Sequence, residues 1–172
     1  GYISVHDEST GSTRNVPILP WDASGHGAAA LRYRFQWTAP IAVSPFDPNE
    51  LFHGANVLFR SRDRGATWGM IETLWHMPER NKWLGGGADI PGIHSICVDP
   101  RASKTIRLGI SCGGVWQTDD GGESWSCRAS GMRADFLPPE YQGEPWQQDP
   151  HLLVQNPANP ERLWVQHHNG IF

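Results

Sequence analysis

Two histidines, His94 and His151, occupy matching positions in two related parts of the chain. They stand 57 positions apart, and each comes just before a short apolar run. Imidazole, carboxylate and guanidinium groups brought together suit the binding of a carboxylate or a sugar, and imidazoles also hold metal ions. The candidate ligand-binding residues of this kind are His94, His151, Arg133, Asp135, Asp149, His167 and Trp83.

Each histidine taken alone is most simply a hydrogen-bonded structural residue, but the matched pair favours a site. No His-x-x-x-His or Cys-x-x-Cys spacing occurs, so neither a metal ion nor another cofactor is predicted. His167 and His168 are adjacent, and strand alternation directs only one of the two to each face. Three cysteines follow at steps of 15, and we expect free thiols, while a Cys97–Cys112 or a Cys112–Cys127 bridge stays open for an exported protein.

A repeated eight-residue segment, here called the box, marks the units of predicted strands that position these residues. The chain reads SRDRGATW at 61–68 and TDDGGESW at 118–125, which share the pattern Ser/Thr-x-Asp-x-Gly-x-x-Trp. An aspartate can accept hydrogen bonds from the N–H groups of its own turn, and glycine permits a positive φ. We therefore interpret the boxes as structural. Their key residues are Ser61, Asp63, Gly65 and Trp68, and Thr118, Asp120, Gly122 and Trp125.

Around each box the chain forms a unit of four short predicted strands. Four strands with a period of 40–60 residues are typical of a β-propeller blade. The sequence predicts an all-β fold, a single open segment of a propeller over 1–172, with antiparallel four-stranded blades. Blades are expected at about 1–20 (partial), 39–74, 93–130 and 150–172 (partial), with the inner strand of each one buried. The register places a third box near position 175, so we expect this segment to belong to a longer ring.

Composition limits the class of partner. The 172 residues carry a net charge of −4 and only two lysines, Lys82 and Lys104, so no nucleic-acid partner is predicted. No apolar run reaches the ~18 residues of a membrane span. With 19 glycines and 14 prolines the chain is unlike a helical bundle. No signal peptide is visible, and the cytoplasm and the exterior both stay open as compartments.

The two boxes in register resemble those of the Asp-box, or BNR-repeat, propellers. That group includes sialidases, xyloglucanase-like glycoside hydrolases and sortilin-type receptor domains. Residues 25–68, beginning GHGAAALRYRF, resemble sortilin-like bacterial "glycosyl hydrolase" propellers. Residues 83–172, with SCGGVWQTDDGGESW and LWVQHHNGIF, resemble exo-α-sialidase-like proteins. The resemblance implies a propeller whose long connections gather on one face.

Those connections run over roughly 20–38, 75–92 and 131–149, and loops of such length are often functional. The predicted function is glycan binding or hydrolysis there, with tryptophans such as Trp37, Trp83 and Trp146 stacking on sugar rings. A glycan or an anionic small molecule is the expected ligand. A non-enzymatic, sortilin-type propeller that binds a protein or peptide is the alternative.

Hydrolysis ordinarily requires two carboxylates, and sialidases instead use a tyrosine with clustered arginines. The Arg-Ile-Pro segment of sialidases is absent, so no catalytic residue is assigned by motif. The loop carboxylates are Asp89, Asp135, Glu140, Glu144 and Asp149, of which Asp135 and Asp149 are the candidates.

Overall fold

A computed structural model describes residues 3–19, 25–27, 30–36, 38–85 and 90–172. Its strands form one hairpin and three larger sheets. The hairpin pairs β1 (Ser4–Asp7) with β2 (Ser12–Asn15). The first large sheet holds β3 (Ile41–Val43), β4 (Leu51–Gly54), β5 (Leu58–Ser61) and β6 (Gly69–Met70). The second holds β7 (Ile93–Val98), β8 (Ile106–Ile110), β9 (Gly114–Thr118) and β10 (Ser126–Cys127). The third holds β11 (Pro150–Gln155), β12 (Leu163–His167) and β13 (Gly170–Ile171).

Every pairing between neighbouring strands is antiparallel, and strands follow one another across each sheet in chain order. Such a meander needs only short turns between its strands. The sheets are open, and the prediction of an all-β fold with four-stranded antiparallel blades is confirmed. None of the helices in the described ranges has the length and apolar character needed to cross a membrane.

The main core lies between the sheets, where the central strands β4 and β8 are buried along their whole length. Phe52 and Leu108 are fully enclosed there, and Ile93 and Trp116 pack in the same cluster. Both faces of these strands are covered, so their polar side chains, His53 and Arg107, are buried as well.

The first strand of each large sheet is less buried than the sequence suggested. Ile41 and Val43 in β3, and Leu152 and Val154 in β11, are between 44% and 57% exposed. The expectation of fully buried inner strands is therefore wrong for these side chains. Val43 and Val154 line an open groove of about 490 Å³ that runs across β3, β7 and β11. Ala42 and Leu153 line it as well, although Ala42 packs against the main core and Leu153 is buried.

The expected fourth strand of the first large sheet ends early, at Met70. The chain then forms a short helix, α1 (Glu72–Trp75), which buries Leu74, and a 3₁₀ turn over Pro78–Lys82. The hydroxyl of Thr73 donates to the carbonyl of Gly122 in the second box. The helix thus stands where a strand was expected, and it joins the first large sheet to the box of the second. A second 3₁₀ turn covers Pro145–Gln147.

Hydrogen bonds close both boxes in the same way. The Ser61 hydroxyl donates to Asp63 at 2.8 Å and accepts from the N–H of Gly65 at 2.8 Å. Asp63 also accepts from the backbone and hydroxyl of Thr67, at 2.8 and 2.6 Å. In the second box the Thr118 hydroxyl contacts Asp120 at 2.7 Å and the N–H of Gly122 at 2.8 Å.

The tryptophans that end the boxes connect each sheet to the segment before it. Trp68 Nε1 donates to the carbonyl of Val16 at 3.1 Å, and Trp125 Nε1 donates to the Thr73 hydroxyl at 3.2 Å. Each bond spans 52 residues of sequence. Each box is thus a compact turn whose last residue holds two neighbouring units together.

The box aspartates make folding stability depend on pH. Hydrogen bonds from Thr67 and Ser61 lower the pKa of Asp63 from 3.8 to about 2, and bonds from Ser124 and Thr118 lower the pKa of Asp120. A carboxyl whose folded pKa is depressed contributes stability above its unfolded pKa and loses it as the pH falls through the folded one. We expect the urea midpoint to fall steadily between about pH 4 and pH 2.

The variant Asp63→Asn, Asp120→Asn should show a shallower fall of the urea midpoint over that range, measured by tryptophan fluorescence. Glu8→Gln removes an exposed carboxylate from the β1–β2 turn and serves as the control, with the slope of the wild type. An unchanged slope in the double variant would assign the acid sensitivity to other carboxylates.

All three cysteines are free thiols, so neither of the possible bridges forms. Cys112 is buried in the turn between β8 and β9, and burial, with the nearby Asp149 charge, raises the pKa of its thiol to about 12. A thiol with so high a pKa stays protonated and unreactive at neutral pH.

Candidate functional site

A buried carboxylate forms the base of the candidate site. Asp149 is 3% exposed and directly precedes β11. Its Oδ1 accepts hydrogen bonds from the Ser111 hydroxyl at 2.8 Å and from the N–H of Cys112 at 3.1 Å. Its own N–H donates to Nε2 of His167 at 2.9 Å. One carboxylate oxygen is thus held by the β8–β9 turn.

The second carboxylate oxygen faces two histidines at the surface. Oδ2 of Asp149 lies 2.8 Å from Nδ1 of His168 and 3.3 Å from Nε2 of His151. The two imidazole nitrogens are 3.0 Å apart. The His151 side chain is 34% exposed and that of His168 is 59% exposed. These three residues, here called the His-Asp cluster, connect a buried charge with the solvent.

Local backbone irregularities explain how the side chains reach the cluster. The pairing of β11 with β12 shifts register between Pro150 and Leu152, which makes His151 the extra residue of a β-bulge. The pairing of β7 with β8 shifts in the same way between Ile93 and Ser95, around His94. Bulges redirect side chains and are frequent next to functional sites.

The matched histidines of the sequence lie next to each other in space. The ring centroids of His94 and His151 are 5.8 Å apart. Nε2 of His94 is buried and has no hydrogen-bond partner among the residues that the structure describes. Burial, followed by the charge of His151, lowers the pKa of His94, so its ring is neutral near pH 7.

Asp149 is ionised at neutral pH despite its burial. Burial by itself would raise the pKa of its carboxyl, but hydrogen bonds from Ser111 and His168 and the charge of His151 outweigh it, and the pKa lies below 3.8. The site therefore keeps a fixed negative charge at its base.

His167 and His168 point in different directions, as strand alternation predicts. Only His168 belongs to the His-Asp cluster. His167 is buried, and burial lowers its pKa. The backbone N–H groups of Asp149 and Asn169 lie 2.9 and 3.2 Å from its two ring nitrogens, of which only the unprotonated one accepts. We expected His167 to contact a ligand, yet the structure places it behind Asp149. His168 follows the last residue of β12 and begins the turn, which brings it to the surface.

The predicted loop residues Arg133 and Asp135 lie beside the cluster in an exposed pair. Arg133 donates to Asp135 and to Gln142. The Asp135 carboxylate accepts from the side chain of Asn169 at 2.9 Å, and its N–H donates to the same side chain at 3.1 Å. The ring of Phe136 contacts that of His168, with centroids 5.1 Å apart. The loop is therefore fixed to the turn that carries His168.

Two of the predicted sugar-stacking tryptophans, Trp83 and Trp146, do not form an exposed platform. Trp83 is 8% exposed, beneath the guanidinium of Arg80 at 4.8 Å and beside Trp116 at 5.8 Å. Trp83 therefore packs in the main core and is not exposed for contact with a ligand. Trp146 is half-buried under the ammonium of Lys82 at 4.3 Å. Trp37 and Asp89 lie outside the described residues.

The boxes take no part in the His-Asp cluster. Strand β9 begins at Gly114, next to the turn that holds Asp149, and ends at Thr118, where the second box starts. The cluster and the box therefore occupy opposite ends of this strand. Ser111 and Cys112 were missed at the level of sequence, where the only signal was the Gly-rich turn SCGG after an apolar strand.

The fold and this arrangement of strands define an open segment of a β-propeller. Of solved structures, the GH74 xyloglucanase of Xanthomonas campestris matches 76% of the chain with a TM-score of 0.54 and 19% identity. The GH74 enzyme of Niastella koreensis matches 76% with a TM-score of 0.50 and 21% identity. The chain covers 18% and 17% of those two proteins. These likenesses establish the fold alone.

Among curated proteins, the similar ones are xyloglucanases. The chain is 34% identical over 130 residues, 73% of its length, to a probable oligoxyloglucan-reducing end-specific xyloglucanase of Neosartorya fischeri. It is 34% identical over 88 residues, 49% of its length, to an oligoxyloglucan-reducing end-specific xyloglucanase of Emericella nidulans. The chain spans 13% and 10% of the length of these relatives. No protein-family model matches the chain.

Proposed function

We propose that this chain is part of a propeller glycoside hydrolase and that the loop over 131–149 binds a xyloglucan-type glycan. The observation that carries the proposal is an exposed aromatic side chain fixed beside polar groups. Phe136 is 49% exposed, contacts His168, and follows the Arg133–Asp135 pair. Glycan sites combine such apolar surfaces with a few well-oriented polar groups.

The loop offers a second aromatic ring and a rigid frame. Tyr141 is 45% exposed, and its N–H donates to the carbonyl of Pro138 at 2.8 Å. Gln148, fully buried, donates to the carbonyls of Gln142 and Glu144, each at 3.0 Å. A loop that is ordered before binding loses less conformational entropy on binding, which strengthens recognition of a weakly held sugar.

The polar groups fit hydroxyl-rich, neutral ligands. Asp135 accepts and Arg133 donates hydrogen bonds at the surface, so together they can orient the hydroxyls of a sugar ring. The relatives are named for xyloglucan, a neutral polysaccharide, which favours this substrate class over a sialoside. Both boxes are closed by hydrogen bonds between their own residues, which supports the proposal that the chain belongs with the glycan-active Asp-box propellers.

Asp149 is a poor candidate for the proton donor of a hydrolytic reaction. Hydrolysis ordinarily needs one protonated and one ionised carboxyl group on either side of the scissile bond. The depressed pKa of Asp149 makes it unsuitable as the proton donor at neutral pH. The donor must therefore be a different carboxyl group.

Binding of xyloglucan oligosaccharides, measured by isothermal titration calorimetry, tests the proposal. Phe136→Ala should weaken binding by about tenfold, because an aromatic contact is worth roughly 0.5–1.5 kcal/mol beyond its area. Phe46→Ala is the matched control, since Phe46 is 48% exposed but lies in the turn between β3 and β4. Its affinity should equal that of the wild type.

Two results would contradict this function. Equal weakening in both phenylalanine variants would mean that the loop over 131–149 is not the glycan surface. No binding of xyloglucan, together with binding of peptides, would favour the non-enzymatic alternative, and preference for a sialoside would restore the sialidase-like interpretation.

A further inference from the structure

We propose that Asp149, His151 and His168 form a binding site for a divalent transition metal ion, with zinc as the best fit. One ligand atom from each residue lies within 4.8 Å of the other two. Two imidazole nitrogens and one carboxylate oxygen are a common ligand set for zinc and for non-haem iron.

The three ligand atoms lie close enough together for one ion to contact all of them. The separations are 2.8 Å from Asp149 Oδ2 to His168 Nδ1, 3.3 Å from that oxygen to His151 Nε2, and 3.0 Å between the nitrogens. Zinc lies about 2.0–2.1 Å from such atoms, which places tetrahedral ligand atoms about 3.3 Å apart. A point about 2 Å from all three atoms lies about 1 Å out of their plane.

Hydrogen bonds alone account poorly for this triangle. His168 Nδ1 lies within bonding distance of both Asp149 and His151, yet it carries at most one hydrogen. If both rings donate to the carboxylate, their two N–H groups face each other at 3.0 Å. If only one of the two nitrogens is protonated, its single hydrogen must serve two acceptors, the other imidazole nitrogen and Oδ2 of Asp149. A cation bound by three lone pairs removes this conflict.

Hydrogen bonds to the Asp149 carboxylate fix its orientation, as groups around a metal-binding carboxylate usually do. The Ser111 hydroxyl and the Cys112 N–H both bind Oδ1, which leaves Oδ2 directed at the histidines. Hydrogen bonds to the far side of a metal-binding side chain typically fix its orientation. They contribute on the order of ten- to hundredfold to the affinity for the metal. The bulge at His151 directs the second ligand to the same point.

The site is accessible and leaves coordination positions open. His151 and His168 are partly exposed, so an ion can enter from solvent and keep a water molecule or a ligand hydroxyl as a further ligand. Calcium and magnesium prefer sites made of oxygen atoms, whereas this one offers two nitrogens. The inference goes beyond the proposed glycan function, because hydrolysis by two carboxylates requires no metal.

Calorimetric titration of the chelator-treated chain with Zn²⁺ alone tests the site. We expect one equivalent to bind with a dissociation constant on the order of micromolar or below. His168→Gln and His151→Gln should each weaken binding by at least about tenfold. His76→Gln replaces an exposed histidine after α1 and should bind like the wild type. Circular dichroism of each variant verifies that it folds.

Titration with Co²⁺ identifies the ligands independently of affinity. A spectrum of nitrogen and oxygen coordination is expected, without the charge-transfer band of a thiolate. Thiolate bands would show that cysteines bind the Co²⁺, and this result would overturn the proposal. The absence of Zn²⁺ binding, or equal binding by the histidine variants and the wild type, would overturn it as well.

Discussion

Gly114→Ala is expected to destabilise the chain by about 3 kcal/mol or more, or to prevent folding. Gly114 has a φ of 82°, which costs an alanine roughly 1–2 kcal/mol. A Cβ there would also lie 2.2 Å from the carbonyl oxygen of Pro145. The backbone cannot move aside easily, because the N–H of Gly114 donates to the carbonyl of Gln148 at 2.9 Å. The clash adds the cost of overpacking to that of the backbone strain.

Gly131→Ala separates the two causes. Gly131 has a φ of 88°, yet a Cβ there would meet nothing within 4 Å. It should lose only about 1–2 kcal/mol, the cost of the backbone conformation alone. Urea unfolding followed by tryptophan fluorescence gives both free energies of unfolding. Equal losses in the two variants would show that the contact with Pro145 does not matter.

Arg107→Met is expected to lower the free energy of unfolding by about 3 kcal/mol, because it removes the buried cation beside Asp99 and leaves that carboxylate paired only with the exposed Arg101. The side chains of Arg107 and Asp99 are 4% and 3% exposed, with Nη1 of Arg107 3.2 Å from the carboxylate. The guanidinium also donates to Gln117 at 2.9 Å and to Gln155 at 2.7 Å. It thereby joins β8 to β9 and to the third sheet, so its loss affects two interfaces.

Arg101 supplies the matched control, because it pairs with the same carboxylate but is 52% exposed. Arg101→Met should cost about 1 kcal/mol or less, as exposed ion pairs do. Adding Asp99→Asn to Arg107→Met should recover part of the loss, since the buried carboxylate that has lost its buried cation is then removed. A double-mutant cycle by urea unfolding measures that coupling, and an interaction energy near zero would refute the role of the buried pair.

The boxes could be predicted from sequence in detail because each is closed by its own residues. Ser61, Asp63 and Thr67 are neighbours in the chain, so their hydrogen bonds depend little on the rest of the fold. The spacing of the boxes then identified His94 and His151 as equivalent, and their rings do lie side by side. Local chemistry and a fixed period were sufficient for these features.

The rest of the site depends on contacts between distant parts of the chain. Ser111 and Asp149 are 38 residues apart, and only the stacking of sheets brings them together. The choice between His167 and His168 depends on where β12 ends, which alternation does not specify. Trp83 seemed available in a loop, but Arg80 and Trp116 cover it. Exposure of this kind follows from tertiary packing.

The bonds made by Trp68 and Trp125 have a consequence for how such a chain grows. Their acceptors, Val16 and Thr73, are themselves 57 positions apart, as are the two tryptophans. Each unit therefore carries a donor for the unit before it and an acceptor for the unit after it. Duplicating one whole unit creates a new joint with both partners already present. Adding such a unit therefore requires no new kind of contact at the joint.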